Sequence, residues 1–473
     1  VLCRRLYSQV TASLAALLAV LALLCVPTSA QAAIELGPLD LTMYGRIGVA
    51  WNPQNGQYVH GRTLNLLGNT LGGRLEEGDY LEPNFKLHLV RPNAEDKTKP
   101  YFHLVLTPSM FSDNGSFLGA FANNFSARLR IELFQAYLEA GNILIPELTL
   151  WVGQRFYRGG DVHNADYFFF NQLNSQGLGV KYKALDVAVL LQTSGNPGLY
   201  SVDVNPDVDA VRLAQRQRTV FVGQYVLPVM EKHSVSLLGE FHLLPALRPT
   251  IGTEAVAPSD IGYVFGARGR LDMGGGSFNE LAVRYGGGIA NGAFNASPTW
   301  STFGNTNEDG RFGGSLGLEV VEHLMLNVNP LLSVNAYGIL QMSRGASGES
   351  TDNALNFAVG ARTSLYLHDQ FHLINEVTYH GFALGQPEDA ETSPLPSAVK
   401  FTVMPTLVPS GERSVWARPH LRLIYTLARY DEDAQNLLDS PSPRASGLAS
   451  PYLKQFGRRE FGHYLGARAE WWF

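Results

Sequence analysis

The residues best placed to do chemistry gather between Gly153 and Asn171, in GQRFYRGGDVHNADYFFFN. Asp161, His163 and Asp166 set two carboxyls around an imidazole. Such groups can bind a metal or move a proton. The D-x-H-x-x-D spacing is weak evidence for either, because no cysteine and no second histidine cluster stands near it. No catalytic residue, metal ligand or cofactor is assigned on this basis. A structural role fits better, with the three side chains lining a passage and hydrogen-bonding the segment to a wall. Four consecutive aromatics follow, Tyr167 to Phe170. Burying one such ring is worth ~1.5–3 kcal/mol, so the segment should fold back against protein. The Gly274-Gly275-Gly276 run leads into a strand, not a helix, and reads as a tight turn rather than a phosphate loop.

A second set of candidates places aromatics beside arginines on alternating strands. Side chains alternate between the two faces of a strand. In LTMYGRIGVAW, Thr42, Tyr44, Arg46 and Gly48 share one face, and Leu41, Met43, Ile47, Val49 and Trp51 the other. VWARPHLRLIY reads as a strand with Trp416, Arg418, His420 and Arg422 on one face. Its other face carries Val415, Ala417, Leu421, Leu423 and Tyr425. GHYLGARAEWWF sets Tyr464, Arg468, Glu470 and Trp472 against Leu465, Ala467, Ala469, Trp471 and Phe473. A water-filled bore has no structural need for inward tryptophan. A sugar supplies one. The C–H face of a pyranose stacks on an aromatic ring, and its hydroxyls bond best to ionised partners.

These strands imply a particular setting. Only 16% of the 473 residues are charged, against roughly 25% in a typical soluble domain. The chain carries 48 glycines and 11% aromatics, and it has no second apolar run long enough to cross a bilayer as a helix. An apolar face alternating with a polar one, without spanning helices, predicts an all-β transmembrane barrel. Arg4 and Arg5, the apolar run Ala12 to Val26 and the small residues around Ala30-Gln31-Ala32 read as a secretory leader. Residues 1–32 are therefore expected to be the signal peptide and 33–473 the barrel, exported to a bacterial outer membrane. Both cysteines, Cys3 and Cys25, would leave with the leader. Losing Arg4 and Arg5 takes the formal net charge from −6 to −8, which argues against nucleic acid as a partner.

The wording RFY…DVH..DY resembles the constriction loop of maltoporins, the sugar-selective outer-membrane porins. The resemblance implies a homotrimer of eighteen-stranded antiparallel barrels, each with an inward-folded constriction loop, passing a saccharide by passive diffusion. Long connections near 52–73, 108–127, 158–177, 193–217, 244–260, 286–310, 343–354, 383–398 and 431–460 fit eighteen strands. So do short turns near 91–100, 140–147, 183–187, 228–233, 272–277, 321–324, 367–371 and 409–413. By the family's pattern, Tyr44, Tyr80, Trp416 and Trp472 match the aromatic slide. Arg46, Arg74, Glu82, Arg130 and Asp166 match the polar track. Arg158, Asp161, His163 and Phe168 match the loop. Several positions depart from the pattern. The loop arginine falls on Gly159, with Arg158 adjacent. Phe168 stands in place of a tyrosine. A slide phenylalanine falls on Leu281. Phe121 and Phe125 both remain candidates for the aromatic of the second long loop. The resemblance implies a channel and not an enzyme, for maltose, malto-oligosaccharides or a related sugar. The alternative is a general diffusion porin for small ions and solutes.

Overall fold

The computed structural model describes residues 34–36, 38–54, 64–112, 115–117, 129–192, 201–202, 214–246, 257–292, 294, 301–390, 393–439, 450, 453 and 457–473. The expected leader and the candidates Phe121 and Phe125 lie outside the described residues. The main sheet contains nineteen strands. One of them, Ile34–Leu36, doubles back along the start of the next. The other eighteen form a closed antiparallel barrel. They are β1 Leu39–Trp51, β2 Tyr80–Val90, β3 Tyr101–Ser112, β4 Leu129–Gly141, β5 Leu148–Arg155, β6 Ser175–Tyr182, β7 Leu185–Gln192, β8 Arg218–Val229 and β9 His233–Leu244. There follow β10 Asp260–Gly274, β11 Ser277–Gly288, β12 Leu316–Asn329, β13 Leu332–Arg344, β14 Asn353–His368, β15 Phe371–Leu384, β16 Ser397–Leu407, β17 His420–Tyr430 and β18 Phe461–Trp472. Each strand pairs with the next, and β18 returns to β1 with Tyr44 opposite Trp472 and Trp51 opposite Leu465. Alternation sets the two surfaces. Leu421, Leu423 and Tyr425 are exposed on the outside, while His420 before them and Ile424 between the last two are buried.

Two segments pack inside the wall. The 64–79 segment buries Leu64, Leu66, Leu67 and Leu75 with Phe382, Met404, Ile424 and Tyr464. Helix α1, Glu432–Asp439, adds Leu437 and Leu438 to the same cluster. The 156–174 segment forms a small hairpin, Arg158–Val162 against Tyr167–Gln172. Its Val162, Ala165, Phe169 and Phe170 are fully buried beside Ala282, Val321, Ile339 and Ala358 of β11 to β14. Phe170 has a left-handed backbone, φ 70°, which is rare for a bulky residue. That twist breaks the alternation, so Phe169 and Phe170 both pack inward against other protein. The four aromatics are thus largely packing: Tyr167, Phe169 and Phe170 are buried and only Phe168 is partly open.

Three sequence expectations are corrected. The turn expected at 321–324 lies inside β12, and the chain turns instead at Pro330-Leu331. Glu322 and His323 read as turn residues because they interrupt an apolar run. In the barrel the Nε2 of His323 lies 3.2 Å from Asn335 Oδ1, and Asn279 Nδ2 donates to Glu322. At the true turn, Asn329 Oδ1 accepts the amide of Leu331 at 2.8 Å, an Asx turn. The strand expected from Val415 begins only at His420, and Ala417 is buried, not outward. Pro419 has no N–H to give to a ladder, so it stops the strand. Leu281 is 47% exposed on the outer surface, between buried Glu280 and Ala282, so it takes no part in lining the bore. Strand alternation leaves no other choice at that register.

Phe169→Ala is expected to destabilise the barrel by about 3–5 kcal/mol and to raise its ion conductance. Thermal unfolding in detergent and single-channel recording check both. Unchanged values would mean that the hairpin is held without this ring.

Candidate functional site

One cavity of about 930 Å³ opens between the hairpin and the wall at β1 to β4 and β18. It brings together the thirteen residues matched to the slide, the track and the loop: Tyr44, Tyr80, Trp416, Trp472, Arg46, Arg74, Glu82, Arg130, Asp166, Arg158, Asp161, His163 and Phe168. Strand pairing supplies most of this proximity. Tyr44 lies opposite both Glu82 on β2 and Trp472 on β18, and Arg46 lies opposite Tyr80.

The rings form a ladder. Tyr80 and Tyr44 are 5.9 Å apart between centroids, and Tyr44 and Trp472 are 6.4 Å apart with planes inclined by 30°. Beyond them His163 lies 5.6 Å from Trp472 and 5.8 Å from Trp416. Arg418 stands 3.8 Å from the centre of Trp472, within cation–π range.

The polar groups beside the ladder are held by one another. Arg74 Nη2 donates to the Tyr44 hydroxyl at 2.6 Å and Arg46 Nη1 donates at 3.1 Å. That hydroxyl donates to Glu470 Oε1 at 3.0 Å. Arg46 and Arg74 share Glu77 at 3.0 and 2.7 Å. Glu470 also receives Arg418 at 2.9 Å and Arg422 at 2.6 Å. The Tyr80 hydroxyl donates to Glu82. Arg158 lies between two rings, 3.6 Å from the centre of Phe156 and 4.0 Å from that of Phe168. An arginine at Gly159 would not fit, because a Cβ there meets the carbonyl oxygen of Phe169 at 2.5 Å.

Hydrogen bonds fix the hairpin. Tyr167 donates to Glu319 and accepts from Gln341 Nε2 at 2.7 Å. Asn164 Nδ2 donates to Asn335 Oδ1 at 3.1 Å. Burial and the nearby Arg74 charge hold His163 well below the usual imidazole range, so it is neutral at physiological pH. Arg74 Nη1 lies 3.2 Å from its Nδ1, and Arg418 Nη2 lies 3.3 Å from its Nε2. A neutral imidazole has one free lone pair, so it can accept from only one of them. Among the described residues, no group of three or more His, Cys, Asp or Glu side chains could hold a metal ion.

Phe111, Phe134, Asp79 and Gln172 also line the cavity, and sequence reasoning missed them. Phe134 carried a usable signal, since it stands at even spacing from Arg130 on one strand. Phe111 was hidden because 108–127 read as loop, whereas β3 runs to Ser112 and sets Phe111 opposite Tyr80.

A closed antiparallel barrel with an apolar outer belt and a charged, ring-lined cavity defines an outer-membrane porin. Residues 39–473 match the LamB porin family. The chain belongs to that family, which is the maltoporin family, and is a channel protein for diffusion across the outer membrane. It is also similar to several solved structures. OccD3 (OpdP) of Pseudomonas aeruginosa is 10% identical with a TM-score of 0.42, covering 94% of this chain and 93% of that one. The outer-membrane channel DcaP of Acinetobacter baumannii is 10% identical with a TM-score of 0.41, covering 94% and 100%. Wzi of Escherichia coli, described as a carbohydrate-binding β-barrel, is 9% identical with a TM-score of 0.42, covering 91% and 84%.

Asp161 generates a pH prediction. Desolvation in the barrel and repulsion from Asp166 push its carboxyl up to about 7. A raised carboxyl is neutral below its pKa and charged above it. Cation preference, read from reversal potentials across a salt gradient, is expected to fall as pH drops through about 7. Asp161→Asn should abolish that step. A step of the same size in the variant would assign it to another group.

Proposed function

We propose that this porin passes maltose, malto-oligosaccharides or a related saccharide by facilitated diffusion. The observation that carries the reading is the ring ladder Tyr80, Tyr44, Trp472 and Trp416 beside ionised side chains in one cavity. Sugar rings stack on the ladder through their apolar faces. Their hydroxyls exchange hydrogen bonds with Arg46, Arg74, Glu82, Arg130 and Asp166, where ionised groups make the stronger bonds. The four aromatics give successive sites of moderate depth, as conduction requires. The hairpin carrying Arg158, Asp161, His163 and Phe168 sets the width of the bore.

One feature of the chain broadens the expected sugar range. Phe168 has no hydroxyl, so the constriction offers one polar group fewer. The mature chain is taken as residues 33–473 after removal of the 1–32 leader, and membership of the family supports a homotrimer.

Single-channel current in a planar bilayer, titrated with maltotriose, sucrose and glucose, tests the reading. Concentration-dependent block by one of these sugars is expected. Open channels that no sugar blocks would leave a general diffusion porin. Trp416→Ala should raise the half-blocking concentration about 2- to 10-fold, the value of one stacking contact, with ion conductance equal or higher. An unchanged half-blocking concentration would remove Trp416 from the path.

A further inference from the structure

At one end of the ring ladder the lining changes character. Tyr44 and Tyr80 carry hydroxyls that donate to carboxylates. Past Tyr80, toward β3 and β4, the rings have no polar group. Phe111 lies opposite Tyr80 on β3, Phe134 stands on β4, and Phe168 faces the same cavity from the hairpin. All three are half-buried. Part of each ring therefore meets the water of the bore and forgoes the stabilisation that full burial would bring.

Two local devices build this corner. The first is a bulge. The β3–β4 pairing slips by one residue between Thr107 and Pro108, so Gln135 lies opposite Thr107, Leu133 opposite Pro108, and Phe134 has no residue opposite it. Pro108 has no N–H for the ladder, and a bulge is one of the few places where a sheet accepts proline. Bulges re-aim side chains. Here Phe134 lines the cavity, and its neighbour Gln135 also points inward, donating to Thr107 Oγ1 at 3.0 Å. In a regular strand only one of two successive residues could face the bore. The second device is a stack. Phe134 and Phe156 are 6.0 Å apart between centroids with planes inclined by 62°. The Arg158 guanidinium follows at 3.6 Å from the centre of Phe156 and 4.0 Å from that of Phe168. Four planar groups thereby join the wall to the hairpin and hold Phe134 and Phe168 in place before any solute arrives.

We propose that the solute this porin takes up best is a glycoside whose aglycone is an uncharged aromatic ring. The inference rests on the saccharide reading and narrows it. The sugar stacks on Tyr80, Tyr44 and Trp472, and the aglycone enters the corner of Phe111, Phe134 and Phe168. A flat apolar ring brings no hydroxyl that must find a partner, and it covers the apolar surface those side chains leave in water. A further pyranose in the same place would set its hydroxyls against rings that return no hydrogen bond, which is unfavourable.

Single-channel block by methyl α-maltoside and by phenyl α-maltoside, measured in the same bilayer, tests the proposal. The two solutes differ only in the group on the anomeric oxygen. The phenyl glycoside is expected to half-block at a concentration about 2- to 10-fold lower, the value of one aromatic contact. Phe134→Ala should bring that ratio close to unity. Trp416→Ala, on the ladder, should weaken both glycosides and preserve the ratio. Equal half-blocking concentrations in the unaltered chain would overturn the proposal and leave the saccharide reading standing. So would a ratio that Phe134→Ala leaves undiminished. Block by neither glycoside would also overturn it, and maltotriose and sucrose in the same bilayer then decide the saccharide reading separately. If Phe134→Ala fails to fold, Phe111→Ala on the adjacent strand carries the same comparison.

Discussion

The site depends on the packing of the 156–174 segment onto the inner wall. A barrel of eighteen strands is too wide for its own side chains to fill. Val162, Ala165, Phe169 and Phe170 solve part of that problem by burying themselves against β11 to β14. The ring of Tyr167, bonded to Glu319 and Gln341, orients the rest. With three of four aromatics spent on packing, the hairpin presents a single face to the remaining water, carrying Asp161 and Phe168. These two residues are direct partners across the hairpin. The free cavity is therefore eccentric, pressed toward β1 to β4, where the aromatic and charged residues stand.

The polar side of that cavity is stiff for a related reason. Tyr44 Oη receives two guanidinium groups and gives its proton to Glu470. Its hydroxyl is thus engaged within the protein, and what it offers to a passing solute is chiefly its ring. Arg158 is held in the same manner between Phe156 and Phe168. Groups already positioned need little reordering when a solute arrives, so less conformational entropy is lost per contact.

Much of this was legible in the sequence, and the reasons differ by residue. Strand alternation has a period of two, so the inward faces of β1 and β18 could be read directly from Tyr44, Arg46, Arg468 and Trp472. Trp416 and Arg418 reached the site even though the expected strand there does not form, because they stand immediately before β17, which Pro419 keeps from extending back to them. Arg74 lies on no strand, and its bonds to Tyr44 and His163 join segments 30 and 89 residues apart. Periodicity carries no information about contacts of that kind, and only the resemblance singled Arg74 out. Leu281 shows the opposite case, where a match of wording placed a residue in the bore and alternation turns it outward. The turn set at 321–324 failed because two polar side chains inside a strand look like a break until their cross-strand partners, Asn279 and Asn335, are known.

The β1–β18 seam has a further consequence, for biogenesis. Tyr44 and Trp472 come from opposite ends of the polypeptide, and their rings meet only when the two strands pair. An assembly intermediate with most strands inserted but the seam open would lack both the Tyr44–Trp472 step and the Tyr44–Glu470 bond. The ring ladder is therefore not acquired strand by strand. It is completed in one event, with the closure that joins β18 to β1.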